Sequence, residues 1–297
     1  MSGADRFSVC EFTTMDTTFA QDLELARRFG LSGVGLCEAK LPEGDDERSL
    51  ELLRASGLVA TSTIGAILSP LPTVPAGLYA GISDPAERVA AMCASIDRLA
   101  PFAPDTIVFS TGAEVGYSRD DAVAIAADGL RTAARHAAGH GLTLSLEPVR
   151  DVGFNASFLR TMRETLDFLD LVGEPNLLVC YDVYHLWDDP EALDLVAGNA
   201  HRIGSVQISD WHEPPRARGD RLIPGDGVID LAAILGALDA AGYEGWYDLE
   251  IFSDDGRWGT PVPDSVWAMD PDEVYRRSIE GFTAAWAARP REGKDHA

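Results

Sequence analysis

Short apolar runs rich in β-branched residues alternate with Ala/Leu-rich amphipathic stretches along the chain. Residues 7–12, 33–37, 59–64, 106–109, 143–146, 177–181, 203–208 and 246–251 predict eight strands, each short and bounded by turn residues. The runs are continuously apolar rather than alternating, as expected of parallel strands covered on both faces. The stretches between them carry one apolar stripe at helical spacing. In the fourth, Val123, Ala127, Leu130 and Ala134 share a face. In the fifth, Asn155 is the expected cap, Phe158, Met162, Leu166 and Leu169 form the stripe, and Gly173 follows the end. In the seventh, Asp230 caps a helix carrying Leu231, Ile234, Leu235 and Leu238, and Gly242 stops it.

Eight strand–helix units in 297 residues leave about 37 residues per unit, which predicts a single (β/α)8 barrel, a TIM barrel of the α/β class, over residues 1–297. A doubly wound sheet is the competing architecture, but no strand leads into a G-x-G-x-x-G turn. No low-complexity linker divides the chain, and the polar tail from about residue 289 is expected to fray. Two connections are too long to be simple loops. One, 66–83, contains Pro70, Pro72, Pro75 and Tyr79; the other, 253–270, contains Trp258, Pro261, Pro263 and Trp267. Both follow strands and so lie at the C-terminal face, where this fold builds its sites. They read either as lids with aromatic walls or as cover for a subunit interface.

Charge narrows the partners. With 24 Lys+Arg against 48 Asp+Glu the net charge is −24, which argues against nucleic acid and anionic membrane surfaces. No apolar run is long enough to span a bilayer, and the first residues lack a secretory pattern. Cys10, Cys37, Cys93 and Cys180 are scattered without C-x-x-C spacing and read as free thiols of a reducing compartment. The expected location is the cytoplasm.

The chemistry lies at the tips of the last four barrel strands. Strand five ends in Glu147-Pro148, strand six in Tyr181-Asp182, strand seven carries Gln207-Ile208-Ser209-Asp210, and strand eight ends Asp248-Leu249-Glu250. Parallel strands lie about 4.8 Å apart, so Glu147, Asp182, Gln207 and Glu250 fall within reach of one ion. Three converging carboxylates repel one another unless a cation compensates. An all-oxygen donor set favours Mn²⁺ first, with Mg²⁺ or Co²⁺ as alternatives, over zinc.

His185, three residues past Asp182, reads as an ordinary loop histidine or as a substrate hydrogen-bond donor beside the metal. The segment 216–227 brings Arg216, Arg218 and Arg221 into a P-G-x-G turn, and Arg221 is the expected contact to a substrate anion or hydroxyl. Asp210 reads as an anchor for that loop. His136 and His140 read as the polar face of a helix end, while His201, His212 and His296 belong to no motif.

These residues resemble the xylose isomerase-like TIM-barrel superfamily of sugar-phosphate isomerases and epimerases. The resemblance rests on E-P at Glu147-Pro148, Y-D-x-x-H at Tyr181 to His185, Q-I-x-D at Gln207 to Asp210, the P-G-x-G loop, and G-Y-x-G-x-x-x-L-E at Gly242 to Glu250. Gln207 in place of histidine is most similar to the hydroxypyruvate isomerase branch. The resemblance implies a divalent metal on Glu147, Asp182, Gln207 and Glu250. It implies that Glu147 and Glu250 are the acid/base pair, with His185 and Arg221 on a small carbohydrate or hydroxy-keto substrate. It allows a homo-oligomer. The implied activity is isomerisation or epimerisation through an enediolate. Alternatives are a lyase or dehydratase on a keto-sugar, keto-inositol or dehydroshikimate-like compound, and a non-catalytic sugar-binding or partner subunit. The abasic-site endonucleases of the superfamily are disfavoured by the charge. The longer loop after strand seven and the Trp-rich insertion after strand eight depart from the minimal pattern and bear on the substrate.

Overall fold

The structure, a computed structural model, describes residues 3–74, 81–217, 219–257, 259 and 261–290. Strands β1 (Phe7–Val9), β2 (Gly33–Cys37), β3 (Val59–Ile64), β4 (Thr106–Phe109), β5 (Thr143–Leu146), β6 (Leu177–Asp182) and β7 (Ile203–Ile208) all fall within the predicted runs, β6 reaching one residue further. A short ribbon, β8 (Asp210–Trp211) and β9 (Arg221–Leu222), comes next, before the last barrel strand, β10 (Tyr247–Leu249). The barrel order is β1-β10-β7-β6-β5-β4-β3-β2, with parallel neighbours throughout. A parallel bridge between Cys10 and Gly35 joins β1 to β2. A Cβ at position 35 would lie 2.9 Å from the Cys10 Cα, so only glycine lets this seam close. The single α/β TIM barrel expected from the pattern is therefore present.

The helices are α1 (Phe19–Arg28), α2 (Asp46–Ser56), α3 (Pro85–Leu99), α4 (Arg119–Gly139), α5 (Met162–Val172), α6 (Val183–Leu186), α7 (Ala192–Asn199), α8 (Leu231–Ala240) and α9 (Pro271–Ala288). Asp230 caps α8 by accepting from the Ala233 N–H, as expected. On α4 the buried stripe is Ala122, Ala126, Ala127, Leu130, Ala133, Ala134 and Ala137, with Val123 only half-buried at its edge. The expected cap at Asn155 is wrong. Thr161 caps α5 in a reciprocal capping box with Glu164, which satisfies two orphan N–H groups at once. Asn155 instead pairs with Val74, holding the loop before α5 against the loop after β3. The tail is also better anchored than expected at its start. The Arg289 guanidinium stacks 3.9 Å over the Trp286 ring and its Nε donates to Asp239 at 2.9 Å. Residues 291–297, with His296, lie outside the described residues.

Side chains alternate along each barrel strand. On β10, Tyr247 faces outward onto Phe282 and Trp286 of α9, while Asp248 and then Glu250 face the interior. Inside the barrel, Cys10, Phe12, Cys37, Ile64, Val108 and Cys180 form an apolar cluster beneath the mouth. None of the four cysteines is in a disulfide, and Cys10, Cys37 and Cys180 are buried while Cys93 is half-buried. No helix among the described residues is long and apolar enough to cross a membrane.

Candidate active site at the barrel mouth

The parallel register places the strand tips side by side. Gln207 pairs with Asp182 on one side and with Asp248 on the other, and Glu250 follows two residues beyond Asp248. Glu147 leaves β5 with its N–H on the Phe109 carbonyl, 2.8 Å away. Asp182, Gln207 and Glu250 are fully buried, and Glu147 keeps 16% of its side chain open toward the cavity.

His185, on the one-turn helix α6 capped by Asp182, brings Nε2 to 3.6 Å from Asp182 Oδ2 and 3.8 Å from Glu147 Oε1. Both ring nitrogens face donors: Nδ1 lies 3.3 Å from the Arg150 backbone N–H and Nε2 lies 3.3 Å from Arg221 Nη2. Burial, then Arg221, Arg150 and Arg160, hold its pKa well below the usual value, so the ring is neutral.

Arg221 reaches the site from the β8–β9 ribbon. Asp210 fixes the turn behind it by accepting from the N–H groups of Trp211, Gly225, Gly227 and Ile229 at 2.8–3.0 Å. A Cβ at Gly227 would lie 2.4 Å from the Asp210 carboxylate, which explains the last glycine of P-G-x-G. The Arg221 guanidinium lies between the rings of Tyr184 and Phe252, 4.7 and 5.0 Å away. Its Nη1 stands 2.8 Å from Asp182 Oδ2 and 3.0 Å from Glu250 Oε2. Burial opposes its charge, but the carboxylates of Asp182, Glu250 and Glu147 outweigh that and hold its pKa above the usual value.

The carboxylates are perturbed in turn. Burial pushes Glu147 well above the carboxylate range, and Asp182 and Glu250 add to this against the pull of Arg221. Glu250 is pushed up to about 7, chiefly by burial, with Arg221 lowering it and Asp182 and Asp248 raising it. Such pairing of shifted carboxyls with a neutral imidazole is common at catalytic sites.

Glu147, Asp182 and His185 form a group that could hold a divalent cation, whereas Glu250 lies outside that group, paired to Arg221. Asp182 Oδ1 accepts from the Tyr184 N–H at 2.8 Å, whereas the buried Oδ2 has no aligned hydrogen bond. Ligand atoms of Glu147, Asp182 and His185 lie within 4.8 Å of one another. Gln207 stands beside them with its Oε1 toward the Cys180 thiol, 3.3 Å away, and its Nε2 unpartnered. Exchanging the two amide atoms would turn the carbonyl the other way.

The cavity above these groups has a volume of about 320 Å³. Phe12, Ile64, Leu68, Val108, Phe154 and Phe252 give it apolar walls. Leu68 and Thr73 come from the 66–83 connection, whose Leu68 carbonyl accepts from the Ser110 N–H at 2.7 Å. Pro75 and Tyr79 of that loop lie outside the described residues, as do Trp258 and Arg218. Among the described residues the 253–270 connection adds nothing to the cavity wall. Trp267 is buried with its indole N–H on the Phe12 and Ile251 carbonyls, so it braces the barrel rim. Arg216 is occupied by Asp220 and Asp264.

Sequence reasoning missed Arg88, which lines the cavity from the first turns of α3, because nothing in the local pattern marks it. His136 and His140 lie on the solvent-facing side of α4, as expected, and both also reach Asp97.

The profile of the family described as "Xylose isomerase-like TIM barrel" matches residues 23–286. Hydroxypyruvate isomerase of Escherichia coli is 29% identical over 136 residues, 46% of this chain and 50% of that protein. L-ribulose 3-epimerase of Mesorhizobium japonicum is 33% identical over 125 residues, 42% and 39% of the two chains. Inosose dehydratase of Klebsiella pneumoniae is 29% identical over 146 residues, 43% and 47%. The matched segments span about half or less of these relatives' length. A solved structure of the IOLI protein with a zinc atom superposes with a TM-score of 0.76 at 17% identity, covering 94% of this chain and 97% of that one.

Proposed function

This chain belongs to the xylose isomerase-like TIM-barrel family, and from that premise we propose that it is a divalent-metal-dependent isomerase or epimerase. The substrate is a small sugar or hydroxy-keto compound, and the reaction moves a proton beside a carbonyl. The observation that carries this reading is the convergence of two carboxyls of raised pKa, Glu147 and Glu250, with Asp182 and a neutral His185 at the floor of one cavity. Enzymes with these activities among the relatives support it.

Glu147, Asp182, Glu250 and, through its carbonyl, Gln207 would hold the ion, Mn²⁺ by preference, which when bound would polarise a carbonyl oxygen as a Lewis acid. Glu250 faces the cavity on the far side of Asp182 from Glu147 and is suited to take and return a proton. Glu147 provides the second carboxyl. Removal of a proton by one and return by the other gives isomerisation when the return is to the adjacent carbon. Return to the same carbon from the opposite face gives epimerisation. Neutral His185 lines the cavity beside Glu147 and Asp182 and can hydrogen-bond a substrate hydroxyl. Arg221 neutralises Asp182 and Glu250 and offers donors to a substrate oxygen on the same side.

The local similarity to inosose dehydratase supports a second outcome from the same residues, in which the carboxyl that took the proton protonates a departing hydroxide. One experiment separates these readings. The Mn²⁺-loaded protein is incubated in D₂O with ketoses, keto-inositols and hydroxypyruvate, and products are read by NMR and mass spectrometry. Carbon-bound deuterium is the expected result, and an enone product selects the dehydratase outcome. Absence of carbon deuteration and of product across the panel, with Mn²⁺, Mg²⁺ or Co²⁺, would reject the catalytic reading.

A further inference from the structure

Two of the described cavity-lining residues are arginines, and they keep different company. Arg221 is matched by carboxylates. Arg88 is 4% exposed, yet its Nε donates to the Ser69 carbonyl at 2.8 Å, its Nη1 to the Ile82 carbonyl at 2.9 Å and its Nη2 to Ser69 Oγ at 3.2 Å. All three acceptors are neutral. A guanidinium has five N–H donors, so some remain unspent. Burial pulls the Arg88 pKa down, and no carboxylate among the described residues offsets it. A buried cation without an anion is costly, and in a chain of net charge −24 the lack of a carboxylate partner among the described residues is conspicuous.

We propose that Arg88 is the anion-binding pole of the cavity and that the substrate is a hydroxy-keto compound carrying a carboxylate held by this guanidinium. This rests on the proposed reading of the site and narrows its substrate class. A single guanidinium among neutral groups matches a monoanionic carboxylate, whereas a phosphate calls for further cations or a helix N-terminus.

The test is calorimetric titration with an isosteric pair, cyclohexanecarboxylate and cyclohexanecarboxamide, with and without Mn²⁺. The wild type should prefer the carboxylate at least tenfold. Arg88→Gln should lose that preference while holding the amide within about threefold, and Arg88→Lys should keep part of it. No preference in the wild type overturns the proposal. So does a preference that survives Arg88→Gln, or one that appears only with Mn²⁺. Equal loss of both ligands in Arg88→Gln assigns Arg88 to bracing Ser69 and Ile82 alone, and also overturns it. Binding is read without turnover, so failure of the deuterium experiment and failure here are separate results.

A second, independent observation lies on the outside of the barrel. His136 and His140, four residues apart on α4, bring their Nε2 atoms to 2.7 and 2.8 Å from Asp97 Oδ1 on α3. The geometry points to a site for a zinc-class divalent ion bridging the two helices, with water completing the shell. Zinc bonds of about 2.0–2.2 Å put neighbouring ligand atoms roughly 3.3 Å apart, so the three side chains need to open by only about half an ångström. The test is Zn²⁺ titration against a chromophoric chelator. His136→Ala/His140→Ala should bind one Zn²⁺ fewer per chain than the wild type and leave turnover unchanged. Undiminished stoichiometry would overturn the assignment.

Discussion

Asp248 and Glu250 stand two residues apart at the end of β10, face the same interior and are both buried. Below the mouth, Asp248 accepts from the hydroxyls of Ser8 on the neighbouring β1 and Thr61 on β3 across the barrel interior. Burial raises its pKa, and the hydroxyls of Ser8, Thr61 and Ser62 pull it back. One layer higher, Glu250 meets no hydroxyl belt. It meets the guanidinium of Arg221 and opens onto the cavity. The lower carboxylate is tied by neutral groups of the sheet itself, and the upper one by a cation delivered on a ribbon from outside the sheet. The same strand thus carries a structural carboxylate and a chemically available one, and the difference lies in what surrounds them.

The comparison can be broken by substitution. Glu250→Gln should fold normally and lose deuterium incorporation by about 10²–10⁴-fold, the usual contribution of a positioned acid or base. Asp248→Asn should keep turnover within a few-fold, and parallel losses of turnover in both variants would erase the distinction. Arg221→Met leaves Asp182 and Glu250 without their cation. The metal-free variant should lose about 3–5 kcal/mol in urea unfolding, and Mn²⁺ should restore most of it. Asp248→Asn should cost about 1–3 kcal/mol whether or not Mn²⁺ is present, because the Ser8 and Thr61 donors lose a charged acceptor.

The smallest effect is in pH. The folded-state pKa of Glu250, about 7, lies above the ordinary 4.5. Between these values the native state binds more protons than the unfolded one, so stability falls as pH rises through that window and levels off above it. Thermal melts in chelator at pH 5, 6 and 7.5 should show a shallower fall for Glu250→Gln than for the wild type. An identical fall would show that Glu250 titrates as in the unfolded chain.

Much of this architecture was legible. Buried parallel strands need continuous apolar runs, and seven of the eight barrel strands fell within them while β6 overran its run by one residue. The strand-tip acids were legible because register follows from strand ends. The misses came where the chain leaves regular structure. Thr161 rather than Asn155 caps α5, since the paired Thr161–Glu164 box competes better than a lone Asn. Arg221 was singled out, but its placement between Asp182 and Glu250 depends on the ribbon, whose two-residue strands carry no periodic signal. The Asp97–His136–His140 cluster depends on which helix faces meet, and Arg88 on how Ser69 and Ile82 of the 66–83 connection fold against α3, and no local pattern shows either.

The measurement closest to the central claim is Mn²⁺ titration of the chelator-treated chain followed by electron paramagnetic resonance of the free ion. The account predicts that the wild type removes the free-ion signal up to at least one equivalent per chain, and that Asp182→Asn, which alters the buried carboxylate between His185 and Arg221, binds one equivalent fewer. A wild type that leaves Mn²⁺ free, or an Asp182→Asn chain that binds it as tightly as the wild type, would contradict it.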